Sequence, residues 1–133
     1  MIKTLHIQTG ARTEFIDITG KVQEVVHQSK AQDGICYLFV PHTTAAITIN
    51  ENADPAVRQD IVMELNKVIP FDDPYRHIEG NSAAHIKASI TGASEMVLIE
   101  SGALVLGTWQ GIYFCEFDGP RRRRLHVKVI ASN

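Results

Sequence analysis

The sequence predicts a single α+β domain, a β-sandwich of about eight mostly antiparallel strands with about three helices. Two patterns predict it: apolar and polar residues alternate in most segments, and three segments have helical spacing, with Gly and Pro between them as turns. The 133 residues, 44% hydrophobic and 21% charged, are typical of one globular unit. No repeat or linker divides the chain, so we expect residues 1–133 to form one domain.

Eight segments carry the pattern of strands. In most of them apolar and polar residues alternate, as expected for a strand with one buried face. Residues 35–40 are instead a continuous apolar run, so we expect a central strand buried on both faces. The predicted strands, in order, are residues 4–8, 16–18, 35–40, 44–50, 96–99, 103–106, 112–117 and 125–130.

Three segments are predicted to be helical, and each begins at a residue that can cap a helix. Thr19 and Asn81 stand at the start of the first and third helices, and Asp54 stands before the second. In the third helix Ile86 and Ile90 are four residues apart, so we expect both on one face of the helix.

Charge and cysteine content exclude several classes of protein. The net charge of -2 excludes the general positive excess of a nucleic-acid coat. Cys36 and Cys115 both lie in apolar runs, so we expect reduced, buried thiols rather than a disulfide framework. No signal peptide and no apolar run of membrane-spanning length is visible. We therefore expect a cytoplasmic protein with neither nucleic acid nor membrane as a partner.

Four consecutive arginines, residues 121–124, precede the last strand. Strand alternation places Arg121 and Arg123 on the core-facing side and the other two in water. A buried guanidinium needs an anionic partner, and the candidates are a ligand phosphate, Glu116 and Asp118. In the alternative interpretation a bulge breaks the alternation, and all four arginines are solvated residues that protect a sheet edge.

Further polar residues gather at strand ends and helix starts. The predicted helix start at Asn81 and Ser82 offers free backbone N–H groups to a phosphate. His42 lies at a strand end, His77 in the long polar loop before the third helix, and His85 near the start of that helix. These three could bind Zn²⁺ or another divalent metal, although their spacing is not a recognised zinc signature. Hydrogen-bonded structural histidines are the alternative.

Two acidic residues offer a different metal site. Glu51 and Asp54 are three residues apart around a turn and could share Mg²⁺ with substrate phosphates. Helix capping alone explains Asp54, so Glu51 is the stronger candidate. Gln110 lies beside Trp109 between two glycines, which allow close backbone approach to a ligand. No nucleophile elbow, Walker loop, dinucleotide fingerprint or Cys-x-x-Cys pair is present.

Taken together, these motifs resemble those of the YjbQ family, also described as secondary thiamine-phosphate synthase. They occur in family order and cover most of residues 40–125. The resemblance rests on residues 42–52, Asp54-Pro55, His77, Gly80-Asn81-Ser82-Ala83-Ala84-His85, Gly107-Thr108-Trp109-Gln110, Phe117-Asp118-Gly119-Pro120-Arg121 and Arg123.

The resemblance implies a homotrimer with its polar residues in a pocket near subunit contacts. It also implies a weak thiamine-phosphate synthase activity, which joins an aminopyrimidine-methyl diphosphate to a thiazole phosphate and releases diphosphate. The alternatives are a metal-dependent hydrolase with a three-histidine site and a non-catalytic binder of a phosphorylated metabolite. For the transferase, the expected phosphate and substrate ligands are Asn81, Ser82, Gln110, Arg121 and Arg123. The expected catalytic residues are His42, Glu51, His77, His85 and Asp118, with Mg²⁺ held by Glu51 and either Asp54 or Asp118.

Overall fold

Eight strands in two antiparallel sheets and three helices make up the structure, a computed structural model that describes residues 1–132. The strands are β1 (Ile2–Gln8), β2 (Glu14–Asp17), β3 (Gly34–Phe39), β4 (Ala45–Glu51), β5 (Ser94–Glu100), β6 (Ala103–Leu104), β7 (Gln110–Glu116) and β8 (Arg122–Ala131). The helices are α1 (Thr19–Ser29), α2 (Pro55–Val68) and α3 (Ser82–Thr91).

The two sheets pack face to face as a sandwich. One has five strands in the order β1-β8-β3-β5-β6, and the other has three in the order β2-β7-β4. Apolar residues from both sheets and from α1 fill the space between them, among them Leu38, Ile47, Phe114 and Val127. The predicted α+β sandwich is therefore confirmed.

A second apolar cluster covers the outer face of the three-stranded sheet. Phe15, Cys115 and Phe117 pack there against Ala84 and Ala88 of α3, and side chains of α2 complete the cluster. The molecule thus has three layers, and α3 is held directly against the small sheet. No helix among residues 1–132 is long and apolar enough to cross a membrane.

The outer face of the five-stranded sheet has no covering layer within the described residues. Tyr37 and Phe39 of β3 are 46% and 50% exposed, and Leu98 of β5 is 56% exposed. The expectation that residues 35–40 form a strand buried on both faces is therefore wrong. Their side chains alternate between the core and this open face, so the unbroken apolar run reflects an apolar outer surface.

Helix starts agree only in part with the sequence. The Asp54 carboxylate accepts a hydrogen bond from the Ala56 N–H at 2.9 Å, which confirms its capping role. Thr19 and Asn81 cap no helix through their side chains. Ile86 and Ile90 are 40% and 62% exposed, so the face of α3 that they share is turned outward; the side chains that α3 buries are Ala83, Ala84, Lys87 and Ala88.

Candidate functional site

An ion pair between Arg123 and Glu116 joins the two sheets at one end of the sandwich. The side chain of Arg123 in β8 is 3% exposed and that of Glu116, at the end of β7, is fully buried. The Arg123 Nε donates to Glu116 Oε1 at 2.8 Å, and Nη2 donates to Oε2. Two parallel hydrogen bonds of this kind fix the plane of the guanidinium.

Two threonines complete the surroundings of the pair. Arg123 Nη2 also donates to Thr44 Oγ1 at 2.8 Å, while Thr9 Oγ1 donates to Glu116 Oε1 at 2.7 Å. Burial alone would raise the pKa of Glu116, but hydrogen bonds from Arg123, Thr9 and the Asp118 N–H outweigh it and lower that pKa. Glu116 is therefore ionised at neutral pH and balances the charge of Arg123.

Arg121 differs from Arg123 because it precedes the strand. β8 begins at Arg122, so alternation does not apply to Arg121, and its side chain is 49% exposed. The prediction of a core-facing position is right for Arg123 and wrong for Arg121. The Arg121 Nη2 donates to Asp118 Oδ2 at 3.1 Å, and the Asn81 Nδ2 donates to the same oxygen at 2.9 Å.

We call residues 117–121 the arginine turn. Its Asp118 carboxylate links Arg121 to Asn81, which immediately precedes α3. The backbone of Arg121 is held from the other side, because its N–H donates to Thr9 Oγ1 at 2.9 Å and its carbonyl accepts from the Thr9 N–H at 3.0 Å. The turn therefore presents a half-exposed guanidinium on a fixed backbone.

An open cavity of about 500 Å³ lies beside the arginine turn. Arg121, Arg123, His42 and Thr43 supply polar groups to its lining, and Phe39 lines it as well. The Nη1 of Arg123 makes no hydrogen bond with any residue in 1–132, so this buried cation still has donors to offer a ligand. The lining carries two guanidinium groups and no carboxylate, and the cavity is large enough for a phosphorylated small molecule.

His42 is held in one protonation state by its neighbours. The Arg124 backbone N–H donates to His42 Nε2 at 2.9 Å, which places the ring proton on Nδ1. Burial, followed by the charges of Arg123 and Arg124, lowers the pKa of His42. The imidazole is therefore neutral at pH 7 and can donate one hydrogen bond from Nδ1.

His85 and His77 extend the site along α3. A second cavity, of about 320 Å³, is lined by both His42 and His85. A third, of about 420 Å³, is lined by His85, His77 and Ser82. The His77 and His85 rings meet edge to face with centroids 5.5 Å apart. Shared lining residues make the three cavities neighbours on one surface.

The three histidines do not make a metal site within one chain. Among residues 1–132, no three side chains of His, Cys, Asp or Glu are grouped closely enough to hold a metal ion. His77 and His85 touch each other, whereas the Nε2 of His42 is occupied by the backbone of β8. The predicted set of His42, His77 and His85 therefore lines a groove and does not converge on one metal-binding position.

Glu51, Asp54 and Gln110 lie at the opposite end of the small sheet. Glu51 pairs with Gln110 in the register of β4 and β7, while Ala45 pairs with Glu116 at the arginine end. At about 3.4 Å per residue, the two ends of β4 are roughly 20 Å apart. Gln110 Oε1 accepts from the Gly107 N–H at 2.7 Å and closes a turn. The expectation that these three residues join the histidines and arginines in one site is wrong for a single chain.

Sequence reasoning missed three residues beneath the site. Lys87 on α3 is fully buried and donates to Asn66 Oδ1, and its Nζ lies 3.9 Å from the centre of the Phe71 ring. The guanidinium carbon of Arg12 lies 3.6 Å from the same ring centre. The sequence offered one signal that Lys87 is buried. Its spacing with Ala84 and Ala88 places Lys87 on the small-residue face of α3.

Both cysteines are buried and unpaired, as the sequence predicts. Burial raises the pKa of Cys36 to about 11 and raises that of Cys115 further. Neither thiol forms the thiolate needed for nucleophilic chemistry at neutral pH. The groups of the site that can interact with a ligand are therefore guanidinium and imidazole side chains.

Comparison with known proteins places these features in a family. The family model described as "UPF0047 protein YjbQ-like" matches residues 3–132. The UPF0047 protein MJ1081 of Methanocaldococcus jannaschii is 52% identical over 132 residues, covering 99% of this chain and 96% of that protein. The UPF0047 protein YugU of Bacillus subtilis is 51% identical over 131 residues, covering 98% and 99%.

Solved structures share the fold closely. A conserved protein of the YjbQ/UPF0047 family from Clostridium acetobutylicum, described as uncharacterised, superposes with a TM-score of 0.95. It is 55% identical and covers 96% of this chain and 99% of its own. A protein from Sulfolobus solfataricus described as YbjQ-like has a TM-score of 0.94 at 33% identity, covering 99% and 97%.

Proposed function

Because the chain belongs to the YjbQ-like UPF0047 family, we propose that it is a thiamine-phosphate synthase-like transferase. The proposed reaction joins an aminopyrimidine-methyl diphosphate to a thiazole phosphate and releases diphosphate. The observation that supports it is the cavity in which Arg121, Arg123 and His42 offer hydrogen-bond donors without a carboxylate in its lining. Such a set binds a diphosphate and opposes a cationic ligand.

The cavity can stabilise the charge that develops during such a reaction. As the carbon–oxygen bond to the diphosphate breaks, both bonding electrons leave with the oxygen and the methylene carbon becomes cationic. The thiazole nitrogen then forms the new carbon–nitrogen bond. The half-exposed Arg121 can follow the departing phosphate, while Arg123 is fixed by Glu116. Preorganised positive charge at the point where negative charge grows lowers the barrier.

The histidines have a different role in this proposal. His42 offers Nδ1–H as a donor to a phosphate oxygen without adding a charge. His85 and Ser82 line the neighbouring cavities, where the thiazole phosphate can be held beside the N-terminal end of α3. The groove is long enough for two phosphorylated ligands because its cavities adjoin.

Mg²⁺ does not fit the carboxylates next to this cavity in a single chain. Glu116 is paired with Arg123, and Asp118 with Arg121 and Asn81, so neither offers a free anionic oxygen pair to a hard cation. Glu51 and Asp54 lie at the other end of β4. In this proposal the arginines, rather than a metal ion, stabilise the charge of the departing diphosphate.

The homotrimer is part of the same proposal. The uncovered outer face of the five-stranded sheet carries Tyr37, Met96 and Leu98, all about half exposed, and an apolar patch of this kind is typical of a protein contact. Phe39 belongs both to this face and to the cavity lining. A neighbouring subunit on this face would therefore also border the phosphate cavity.

Turnover of the two precursors by Arg121→Ala tests the transferase directly. Removing a preorganised cation from such a site costs about a hundredfold in rate, and Arg121 is exposed enough for the protein to stay folded. The matched control is Arg122→Ala, because Arg122 is exposed on β8 and does not line the cavity. The protein should be produced in a host that lacks its own synthase. The assay is then run both with and without Mg²⁺.

Equal rates for the two arginine variants would contradict the proposed role of Arg121. Binding of both precursors without any product would favour the non-catalytic binder instead. Product that appears only with a metal, and at an equal rate in Arg121→Ala, would favour metal-dependent chemistry.

A further inference from the structure

Arg12, Phe71 and Lys87 form a cluster that we call the cation clamp. Phe71 begins the loop of residues 71–80, and both cations lie within 4 Å of its ring centre. The three residues come from different parts of the chain: Arg12 from the connection between β1 and β2, Phe71 from the loop, and Lys87 from α3. Because the Phe71 ring binds two cations, these contacts hold the loop that carries Phe71 in place.

Lys87 is an unusual residue to bury. Its side chain is completely inaccessible, and within residues 1–132 its ammonium makes one hydrogen bond, to Asn66, and no ion pair. Burial, followed by the charge of Arg12, lowers the pKa of Lys87 to about 8. An ammonium placed where its charge is disfavoured destabilises the fold unless the ring compensates, so packing alone does not explain this choice of residue.

Arg12 connects the clamp to the arginine turn. Its carbonyl accepts a hydrogen bond from the Gly119 N–H at 3.0 Å, and Gly119 lies between Asp118 and Arg121. Arg12 therefore contacts Phe71 with its side chain and, with its backbone, the turn that carries Arg121. On the other side, Lys87 belongs to the same helix as His85, which His77 of the loop touches.

We infer that Phe71, held by Arg12 and Lys87, fixes the loop of residues 71–80 against the arginine turn and so brings His77 to His85. Arg12 and Lys87 are then positioning residues for the groove, although neither lines its cavities. The part of this inference that concerns ligand binding rests on the proposed function; the part that concerns the loop does not.

Trypsin cleavage after Arg76 reports opening of the loop under native conditions, because a protease needs a locally unfolded segment. Three variants weaken the clamp in different ways: Phe71→Leu removes the aromatic face, Lys87→Met removes the buried charge, and Arg12→Gln removes the exposed one. Ile78→Ala is the matched control, since Ile78 is fully exposed in the same loop. Arg12→Lys keeps the charge and tests rescue.

The three weakened variants are expected to be cleaved at Arg76 about fivefold faster or more, while Ile78→Ala and Arg12→Lys stay close to the wild-type rate. Lys87→Met is expected to keep or gain global stability, since a buried charge is removed. If Lys87→Met is cleaved faster at Arg76 but is as stable as the wild type, then Lys87 positions the loop and does not merely stabilise the fold. The ring-proton NMR signals of His77 and His85 should move toward those of separated rings.

Wild-type cleavage rates in both Arg12→Gln and Phe71→Leu would overturn the inference. Arg12 is exposed, so its variant is expected to fold even if the other two do not. Inorganic pyrophosphate serves as the ligand probe. A wild-type protein that fails to bind it contradicts the proposed function and leaves the cleavage result to decide the clamp, whereas weaker pyrophosphate binding by Arg12→Gln supports both.

Discussion

Arg123 of one sheet and Glu116 of the other hold each other across the end of the sandwich through two hydrogen bonds. Because each residue is almost completely buried, the pair closes this end of the core, and Arg123 also lines the neighbouring cavity of about 500 Å³. Arg123 therefore serves both the packing of the two sheets and the lining of that cavity.

Glu116→Gln is expected to destabilise the protein by about 3 kcal/mol at neutral pH, because it leaves Arg123 buried without its counterion. Chemical denaturation measures the change, and Glu64→Gln on the exposed side of α2 is the control. The difference should also depend on pH. The folded pKa of Glu116 is lowered, so its contribution is complete above the unfolded pKa and is lost as the pH falls through the folded value.

Below about pH 4 the stabilities of wild type and Glu116→Gln should therefore converge. A constant difference from pH 3 to pH 7, on the order of the neutral value, would show that the charge of Glu116 is not the source of the effect.

His42 is expected to report the arrival of an anion. In the free protein burial and the neighbouring arginines lower the pKa of His42, and a bound pyrophosphate adds negative charge beside the ring, which raises that pKa. An NMR titration of the ring protons with and without pyrophosphate measures the shift. His27, exposed on α1 and away from the cavities, should titrate identically in both samples; an unmoved His42 would argue against binding at this cavity.

Gly119→Ala is expected to disrupt the arginine turn. A Cβ at this position would lie 2.3 Å from the Ala11 carbonyl oxygen and 2.9 Å from Thr9 Oγ1, so the backbone must move. We expect a loss of about 2 kcal/mol or more in stability, together with weaker pyrophosphate binding. Gly20→Ala in α1, where no atom lies within 4 Å, should instead stabilise the protein by about 0.5–1 kcal/mol.

Leu98→Glu tests the proposed contact between subunits. Leu98 of β5 is 56% exposed on the open sheet face, where a charge opposes burial against a second copy. We expect a trimer for the wild type and monomers for the variant, measured by light scattering, with unchanged secondary structure. Ile78→Glu, in the loop of residues 71–80, should leave the mass unaffected. A wild-type monomer would reject the homotrimer outright.

Strand alternation predicted the burial of Arg123 and failed two residues earlier, at Arg121. It places Arg123 on the inward face, and the structure pairs Arg123 with Glu116, one of the partners that the sequence offers. It fails for Arg121 because β8 begins at Arg122, and alternation has no meaning outside a strand. The position of a strand end is a tertiary property, set here by the hydrogen bonds between Thr9 and Arg121.

Residue type does not reveal which surface of an element is covered, and order along the chain does not reveal which residues meet. Ile86 and Ile90 point outward although they are apolar, while Lys87 is buried, since the small sheet admits only the alanine side of α3 at close range. Glu51 is separated from the histidines because a motif in the sequence does not show how far apart its residues lie along a strand. The two ends of β4 are only a few residues apart in the sequence, yet they lie at opposite ends of the small sheet.

The different positions of Arg121 and Arg123 have a practical consequence for redesign. Replacing Arg123 would leave Glu116 buried without its partner, whereas Arg121 is half-exposed and precedes β8, so we expect the fold to tolerate its replacement. Anyone seeking to alter ligand preference should therefore vary the residue before the strand and keep the one within it.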